Sequence, residues 1–101
     1  MFIYNVTVSI TKEAEAEWIQ WMKDVHIPNV LKTGMFSGYK FYKVLSHDDP
    51  STGSYCTMYT VEVLDNFVKY LNELAPALRK EVDDKFSGRY AAFRTLLEEI
   101  A

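Results

Sequence analysis

The alternation of side chains at the start of the chain is the strongest constraint on its fold. Across residues 2–10, every second position is apolar: Phe2, Tyr4, Val6, Val8 and Ile10. The intervening positions are mostly polar and include Asn5. A period of two residues is typical of a strand with one buried face. The chain is therefore predicted to begin with a β-strand whose apolar side packs against other elements.

An amphipathic helix is predicted to follow this strand, with Thr11 as its N-cap. At about 100° per residue, its buried side is predicted to contain Ala14, Trp18, Trp21 and Val25, flanked by Glu15, Ile19, Met22 and His26. Pro28 disfavours the helical conformation at the residue before it. The helix is therefore predicted to end near His26, and a short second helix is predicted from Pro28 to about Lys32.

Two β-like runs, 36–46 and 54–63, come next and are separated by the turn-rich segment 47–53. They are predicted to form a hairpin. Both sides of the second run are partly apolar: one side carries Tyr55, Thr57, Tyr59, Val61 and Val63, and the other carries Cys56, Met58, Thr60 and Glu62. This strand is therefore predicted to be covered on both faces.

The last part of the chain is predicted to form one more helix and one more strand. Asp65 is the expected N-cap of the helix, whose apolar stripe keeps its phase across Pro76 and ends at Gly88. This continuity predicts a kinked or two-piece helix. Residues 90–100 are assigned to a strand, because they open with β-compatible residues, although Leu96-Leu97-Glu98-Glu99 favours a helix.

The order strand, helix, strand, strand, helix, strand predicts an α+β fold of the ferredoxin-like βαββαβ type. It has a four-stranded antiparallel sheet with two main helices on one face, and residues 1–101 are expected to form a single domain. The other sheet face is too apolar to be left bare. A second copy is predicted to cover it, giving a homodimer of the dimeric α+β barrel type.

Composition excludes several classes of partner and site. The chain has 11 basic and 14 acidic residues and a formal net charge of -3, which would repel nucleic acid. Cys56 is the single cysteine, so neither an internal disulfide nor a thiolate zinc site is possible. No metal site, cofactor or membrane contact is predicted, because the chain has no histidine pair at metal-binding spacing, no phosphate loop and no long apolar segment. A cytoplasmic location is expected.

Two residues are the main functional candidates. His26 can act as an acid, a base or a ligand near neutral pH, or it can simply cap the end of the first helix. Arg94 lies in a largely apolar strand, where it must face solvent, pair with a carboxylate or bind an anion. The candidate ligand-binding residues are Tyr4, Asn5, Trp18, Met22, His26 and Arg94. The tryptophans also fit an ordinary core, and the turn His47-Asp48-Asp49 fits a solvated loop better than a metal site.

Several blocks of the sequence resemble a small bacterial family described as a domain of unknown function. They are Met1–Val8, Trp18-x-x-Trp21-Met22, His26-Ile27-Pro28-x-Val30-Leu31-x-Thr33-Gly34-x-Phe36, Ala75-Pro76-x-Leu78-Arg79 and Ala92-Phe93-Arg94-Thr95. The resemblance implies a ferredoxin-like dimeric α+β barrel and implies no activity.

The helix with its His-x-Pro is also similar, more distantly, to stress-response and monooxygenase-like α+β barrel proteins, which often hold a ligand between helices and sheet. Haem-degrading members of that group use an Asn on the first strand together with a Trp and a His. Asn5 matches the first of these, but neither Trp18 nor Trp21 matches the second. That chemistry is therefore not transferred to this chain.

Three functions follow from these observations. The first is a small dimeric protein that binds a small, partly apolar or anionic molecule in a cleft between the Trp18/Trp21 helix and the sheet. The second is a cofactor-independent monooxygenase in which His26 acts as acid and base. The third is an interaction module without a ligand.

Overall fold

The structure, a computed structural model, describes residues Met1–Ala101. Four strands alternate with two helical stretches. The strands are β1 (Phe2–Thr11), β2 (Gly38–Lys43), β3 (Thr52–Val61) and β4 (Tyr90–Glu98). The first helical stretch consists of a 3₁₀ turn (Lys12–Ala14), α1 (Glu15–Trp21), a π-helical segment (Met22–His26) and α2 (Ile27–Lys32). The second consists of α3 (Leu64–Lys69), a π-helical segment (Tyr70–Leu74) and α4 (Ala75–Phe86).

The four strands form one antiparallel sheet in the order β2-β3-β1-β4. This is the predicted ferredoxin-like arrangement, and the predicted hairpin and final strand are both confirmed. The first and last strands are neighbours, and Val6 lies directly opposite Arg94. Because opposed residues of an antiparallel pair point to the same face, Val6 and Arg94 share one side of the sheet.

The core lies between this side of the sheet and the two helical stretches. The β1 and β3 side chains that were predicted to face inward are buried there, among them Tyr4, Ile10, Tyr59 and Val61. Trp18 is the largest fully buried side chain and contacts the rings of Phe41 and Tyr55. Trp18 is therefore a core residue that packs α1 against the sheet.

The first helical stretch runs without a break from Lys12 to Lys32, so the chain break predicted near His26 is absent, whereas the short helix predicted from Pro28 to about Lys32 corresponds to α2 (Ile27–Lys32). Ile27 keeps helical angles (φ -60°, ψ -46°) although it precedes Pro28, and its N–H donates to the carbonyl of Met22, five residues back. Pro28 falls in the first turn of α2, where the missing N–H is tolerated. The wider turn also shifts the helix phase. Val25, predicted to be buried, is therefore 39% exposed, whereas Ile27 is 1% exposed.

Of the two predicted helix caps, Thr11 occupies the N-cap position but makes no capping hydrogen bond, and Asp65 is not at the cap position. Thr11 is still part of the sheet, paired with Thr52, and its hydroxyl makes no cap hydrogen bond. The second helical stretch begins one residue earlier than predicted, at Leu64, so Asp65 lies inside the first turn. Its carboxylate there still suits the positive end of the helix dipole. The predicted continuation past Pro76 is confirmed, with a π-helical segment immediately before it.

No helix covers the second face of the sheet. Cys56, Met58 and Thr60 are half-buried on this face, and Phe93 of β4 is 63% exposed. The two edge strands, β2 and β4, add Tyr42 and Leu97 to the same surface. We refer to the surface formed by Tyr42, Cys56, Met58, Phe93 and Leu97 as the open face.

Candidate functional site

A cavity of about 40 Å³ lies between the helices and the inner side of the sheet. Its walls are mostly apolar and come from β1, β3, β4 and both helical stretches. The side chains that line it are Tyr4, Val6, Val8, Trp18, Met22, His26, Val30, Thr57, Tyr59, Tyr70, Leu78, Arg79, Val82, Tyr90, Ala92 and Arg94. Since a water molecule needs roughly 10–15 Å³ of such space, this inner cavity admits only a few atoms.

The inner cavity continues into an open cleft of about 310 Å³ between α4 and β4. Arg79, Tyr90, Ala92 and Arg94 line both spaces, so they mark the passage from one to the other. The outer wall is completed by Asp83 and the turn after α4. The whole site is therefore a funnel with a narrow apolar end and a wide polar mouth, which we call the cleft.

Arg79 projects from α4 into this passage. Its Nη2 donates a hydrogen bond to the hydroxyl of Tyr4 at 3.2 Å. No carboxylate lies within ion-pair distance of its guanidinium. A half-buried cation held by a neutral hydroxyl keeps most of its donors free.

Arg94 reaches the same passage from β4. It is exposed, and its guanidinium forms neither a hydrogen bond nor an ion pair with another side chain. Three environments were predicted for Arg94: solvent, a carboxylate partner or a bound anion. The structure has no carboxylate partner for Arg94, and its side chain is exposed at the mouth of the cleft. Arg79 and Arg94 together place two positive charges without an ion-pair partner there, and Asp83 is the one carboxylate that lines the same outer space.

His26 lines the cavity from the end of the first π-helical segment. Its imidazole stacks on the indole of Trp21, and its Nδ1 is buried without a hydrogen-bond partner. Burial, together with the positive charge of Arg94, lowers the pKa of His26 to about 4. The ring is therefore neutral at physiological pH. The predicted capping of helix-terminal carbonyls by His26 is wrong, because the helix continues past it.

Tyrosines form the polar part of the inner cavity. Tyr4 packs against the rings of Tyr59 and Tyr70, and the hydroxyls of Tyr59 and Tyr70 make no hydrogen bond within the chain. Burial raises the pKa of Tyr70 to about 12 and raises that of Tyr59 as well. Both phenols therefore keep their protons. At the mouth, Tyr90 donates to the carboxylate of Asp83.

Five of the six predicted ligand-binding residues line the cavity: Tyr4, Trp18, Met22, His26 and Arg94. Asn5 does not, because it points to the open face, where its Nδ2 donates to the hydroxyl of Thr7 at 3.3 Å. Glu15, which flanks the buried side of the same helix as His26, does not line the cavity either. Glu15 instead accepts a hydrogen bond of 2.5 Å from Tyr55.

Arg79, Tyr59 and Tyr70 line the cleft but were not among the predicted candidates. Arg79 closes the block Ala75-Pro76-x-Leu78-Arg79 of the family resemblance, which implies no role for it. The physical signal for Arg79 is its position next to Leu78 on the buried stripe of the second helix. That signal is weak, because most charged residues beside such a stripe point to solvent.

The turn His47-Asp48-Asp49 forms local hydrogen bonds. The two ring nitrogens of His47 bond to Thr52 and Ser54, at 2.7 and 3.0 Å, and Asp49 accepts from Ser51. Across the chain, no three His, Cys, Asp or Glu side chains converge to hold a metal ion. None of the helices is both long and apolar enough to cross a bilayer.

The family model described as "Domain of unknown function (DUF4286)" matches residues 1–100. The predicted family resemblance is therefore confirmed. No curated protein matches the chain.

Solved structures with the same fold are numerous. A candidate antibiotic biosynthesis monooxygenase from Deinococcus radiodurans is 15% identical, with a TM-score of 0.68, and covers 100% of this chain and 94% of its own. A mutant of MhuD with two manganese protoporphyrin IX molecules per active site is 13% identical, with a TM-score of 0.72 and coverages of 100% and 96%. A dimeric ferredoxin-like protein from an uncultured marine organism is 10% identical, with a TM-score of 0.68 and the same coverages. At these identities, the likeness establishes the fold alone.

Proposed function

The chain belongs to the DUF4286 family of domains of unknown function, and we propose that it binds a small, partly apolar molecule with an anionic group in the cleft. The single observation that carries this proposal is the pair Arg79 and Arg94. Both guanidinium groups line the cleft, and neither has a carboxylate partner in the chain. An anion at this point would compensate both charges.

The walls of the cleft supply the apolar half of the proposed recognition. Val6, Met22, Leu78 and Val82 line the narrow end, and no acidic side chain is present there. Small-molecule sites commonly combine such apolar walls with a few polar groups that fix orientation. The small volume of the inner cavity restricts the apolar part of the ligand to a short chain or a single group.

A pair of matched probes tests this proposal. Isocaproate and its neutral amide, isocaproamide, have the same short branched chain and differ in charge. We expect isocaproate to shift the backbone amide NMR signals of Tyr70, Ala92 and Arg94. The substitution Ala92→Phe should abolish these shifts, because Ala92 lies at the passage between the two spaces.

The matched control is Ala77→Phe, at an exposed position of α4 that does not line the cleft. This variant should bind as the unchanged protein does. Absence of cleft shifts with both probes up to their solubility limits would refute the proposal, as would equal binding by the Ala92→Phe variant.

The other two predicted functions have less support. A general base works best when its pKa lies near the operating pH, and the pKa of His26 is lowered to about 4. This weakens the case for His26 as the base of a monooxygenase. The protoporphyrin bound by MhuD is not transferred to this chain, because Asn5 and His26 lie on opposite sides of the sheet. An interaction module without a ligand would leave Arg79 and Arg94 without a role.

We propose, in addition, that a second copy of the chain covers the open face. Phe93 and Leu97 are 63% and 41% exposed there, and Met58 on the same face is half-buried. Such apolar surface is favourably buried in an interface between copies. The dimeric state given for the marine ferredoxin-like protein is consistent with this proposal. We also propose a cytoplasmic location, supported by the single unpaired Cys56.

A further inference from the structure

The charged donors of the cleft, the guanidinium groups of Arg79 and Arg94, face few carboxylate or amide acceptors. No Asp, Glu, Asn or Gln lines the inner cavity. In the outer part the only carboxylate is that of Asp83, which already accepts from Tyr90. A guanidinium group has five N–H donors and no acceptor. A ligand that satisfies the two guanidinium groups must therefore bring acceptor oxygens, whereas the hydroxyls of Tyr59, Tyr70 and Thr57 and the ring of His26 can donate or accept.

These donors lie at two depths in the cleft. Arg79 and Arg94 stand at the passage to the outer cleft, where a charged group can enter with part of its hydration. Tyr59 and Tyr70 lie in the inner cavity, and their hydroxyls have no partner within the chain. Both keep their protons at neutral pH, because burial raises the pKa of each phenol. The site therefore provides cationic donors outside and neutral donors inside.

Resting on the proposed function, we infer that the ligand is a small carboxylic acid with a second acceptor oxygen on the neighbouring carbon, as in an α-keto acid with a short apolar chain. The carboxylate lies between Arg79 and Arg94, where it can accept several charge-assisted hydrogen bonds. The second oxygen accepts from the hydroxyl of Tyr70. The apolar chain packs against Met22 and Leu78 at the closed end.

Three probes separate the two recognition groups. α-Ketoisocaproate carries both oxygen groups, isocaproate lacks the keto oxygen, and α-ketoisocaproamide lacks the negative charge. We expect α-ketoisocaproate to bind most tightly in isothermal titration calorimetry. Removal of either group should weaken binding by about tenfold, the usual effect of losing a hydrogen bond to a charged or buried partner.

Substitutions test which residues recognise the carboxylate of the ligand and which recognise its keto oxygen. Arg79→Gln and Arg94→Gln should each weaken the binding of both acids by about tenfold and leave the amide unaffected. Arg89→Gln is the matched control, because the Arg89 guanidinium lies over Phe86 and does not line the cleft. Tyr70→Phe should abolish the preference for α-ketoisocaproate over isocaproate. Tyr39→Phe, at an exposed position outside the cleft, should preserve that preference.

The outcomes separate this inference from the proposal on which it rests. If α-ketoisocaproate and isocaproate bind the cleft with equal affinity and α-ketoisocaproamide binds more weakly, the inference is wrong and the proposed function stands. If the amide binds as tightly as the acids, the anionic group is not recognised and both are wrong. If none of them shifts the cleft signals, both are wrong. Thermal unfolding monitored by circular dichroism confirms that each variant is folded. If Arg79→Gln does not fold because Tyr4 loses its donor, Arg94→Gln, at an exposed position, tests the charge requirement alone.

Discussion

The imidazole of His26 lies on the indole of Trp21, with ring centroids 5.3 Å apart and an angle of 22° between the planes. This stacking removes one face of the imidazole from water, and its Nδ1 is buried. Burial is the main reason why the pKa of His26 falls from 6.5 to about 4, and Arg94 adds a repulsive charge. The neutral ring is thus part of the cleft wall, and its protonation would disturb both Trp21 and the cleft.

The first prediction concerns the dependence of stability on pH. In the unfolded chain His26 takes up its proton near pH 6.5, whereas in the folded chain it does so only near pH 4. Between these values the unfolded state binds more protons, so acidification favours unfolding. The stabilisation is complete above pH 6.5 and is lost progressively down to pH 4. The loss should reach at most about 3 kcal/mol, measured by urea unfolding at a series of pH values.

The control for this prediction is His26→Phe, which keeps an aromatic ring against Trp21 but cannot titrate. The difference in free energy of unfolding between the two proteins should change with pH only across this window. A constant difference from pH 7 to pH 4 would show that His26 does not carry the effect.

The second prediction concerns the contribution of Arg94 to the pKa of His26. Replacing Arg94 by Gln removes a nearby positive charge and keeps a polar side chain at the mouth. The pKa of His26 should rise, while remaining below 6.5 because the burial is unchanged. NMR titration of the imidazole signals measures it directly. Arg89→Gln is the control, because it also removes one positive charge but lies outside the cleft, and it should leave the pKa of His26 unchanged. An equal rise of this pKa in both variants would contradict the assignment to Arg94.

Much of the fold was predictable because the strands carry strong local patterns. The inward side of β1 and β3 follows the period of two residues without exception, so Tyr4 and Tyr59 were placed correctly. The first helical stretch was predicted less well. A π-helical turn has no sequence signature as clear as the two-residue alternation of a strand. In addition, Pro28 disfavours the helical conformation at Ile27, which predicted that the helix would end there. Packing of the buried residues Ile27 and Val30 outweighs that bias.

The site was predictable only in part, for a similar reason. Residues on predicted inner faces, such as Trp18 and Met22, could be assigned to the cleft from periodicity. Arg79 could not, because its position depends on how the second helical stretch crosses β4. Asn5 was included among the ligand-binding candidates, although the alternation along β1 places it on the side opposite Tyr4 and Val6. Neighbouring positions in antiparallel strands alternate between faces, and Arg94 opposes Val6.

The third prediction tests the contact between α1 and β3. A side chain added at Gly53 would collide with the carboxylate of Glu15. This carboxylate accepts a hydrogen bond of 2.5 Å from the hydroxyl of Tyr55. Gly53→Ala should therefore displace Glu15, break this hydrogen bond and lower the free energy of unfolding by about 1–2 kcal/mol. Urea unfolding at neutral pH measures the change.

The matched control is Gly38→Ala in β2, where an added methyl group would meet no atom within 4 Å. This substitution should change the free energy of unfolding by no more than about 0.5 kcal/mol. Equal effects at Gly53 and Gly38 would mean that the contact between Glu15 and Tyr55 contributes little to stability.

The fourth prediction tests the proposed assembly through the open face. Phe93 is the most exposed aromatic side chain of the chain and lies on β4 opposite Thr7, on the same surface as Met58 and Leu97. A lysine at this position would place an unpaired charge inside an apolar interface, at a cost that association cannot recover. Phe93→Lys should therefore convert a dimer into a monomer at micromolar concentration in size-exclusion chromatography with light scattering.

Val68→Lys is the matched control, because Val68 is 50% exposed on α3, away from the open face. This variant should remain dimeric. A monomeric unchanged protein, or dissociation by both substitutions, would exclude the open face as the interface, and the exposure of Phe93 would then need another partner.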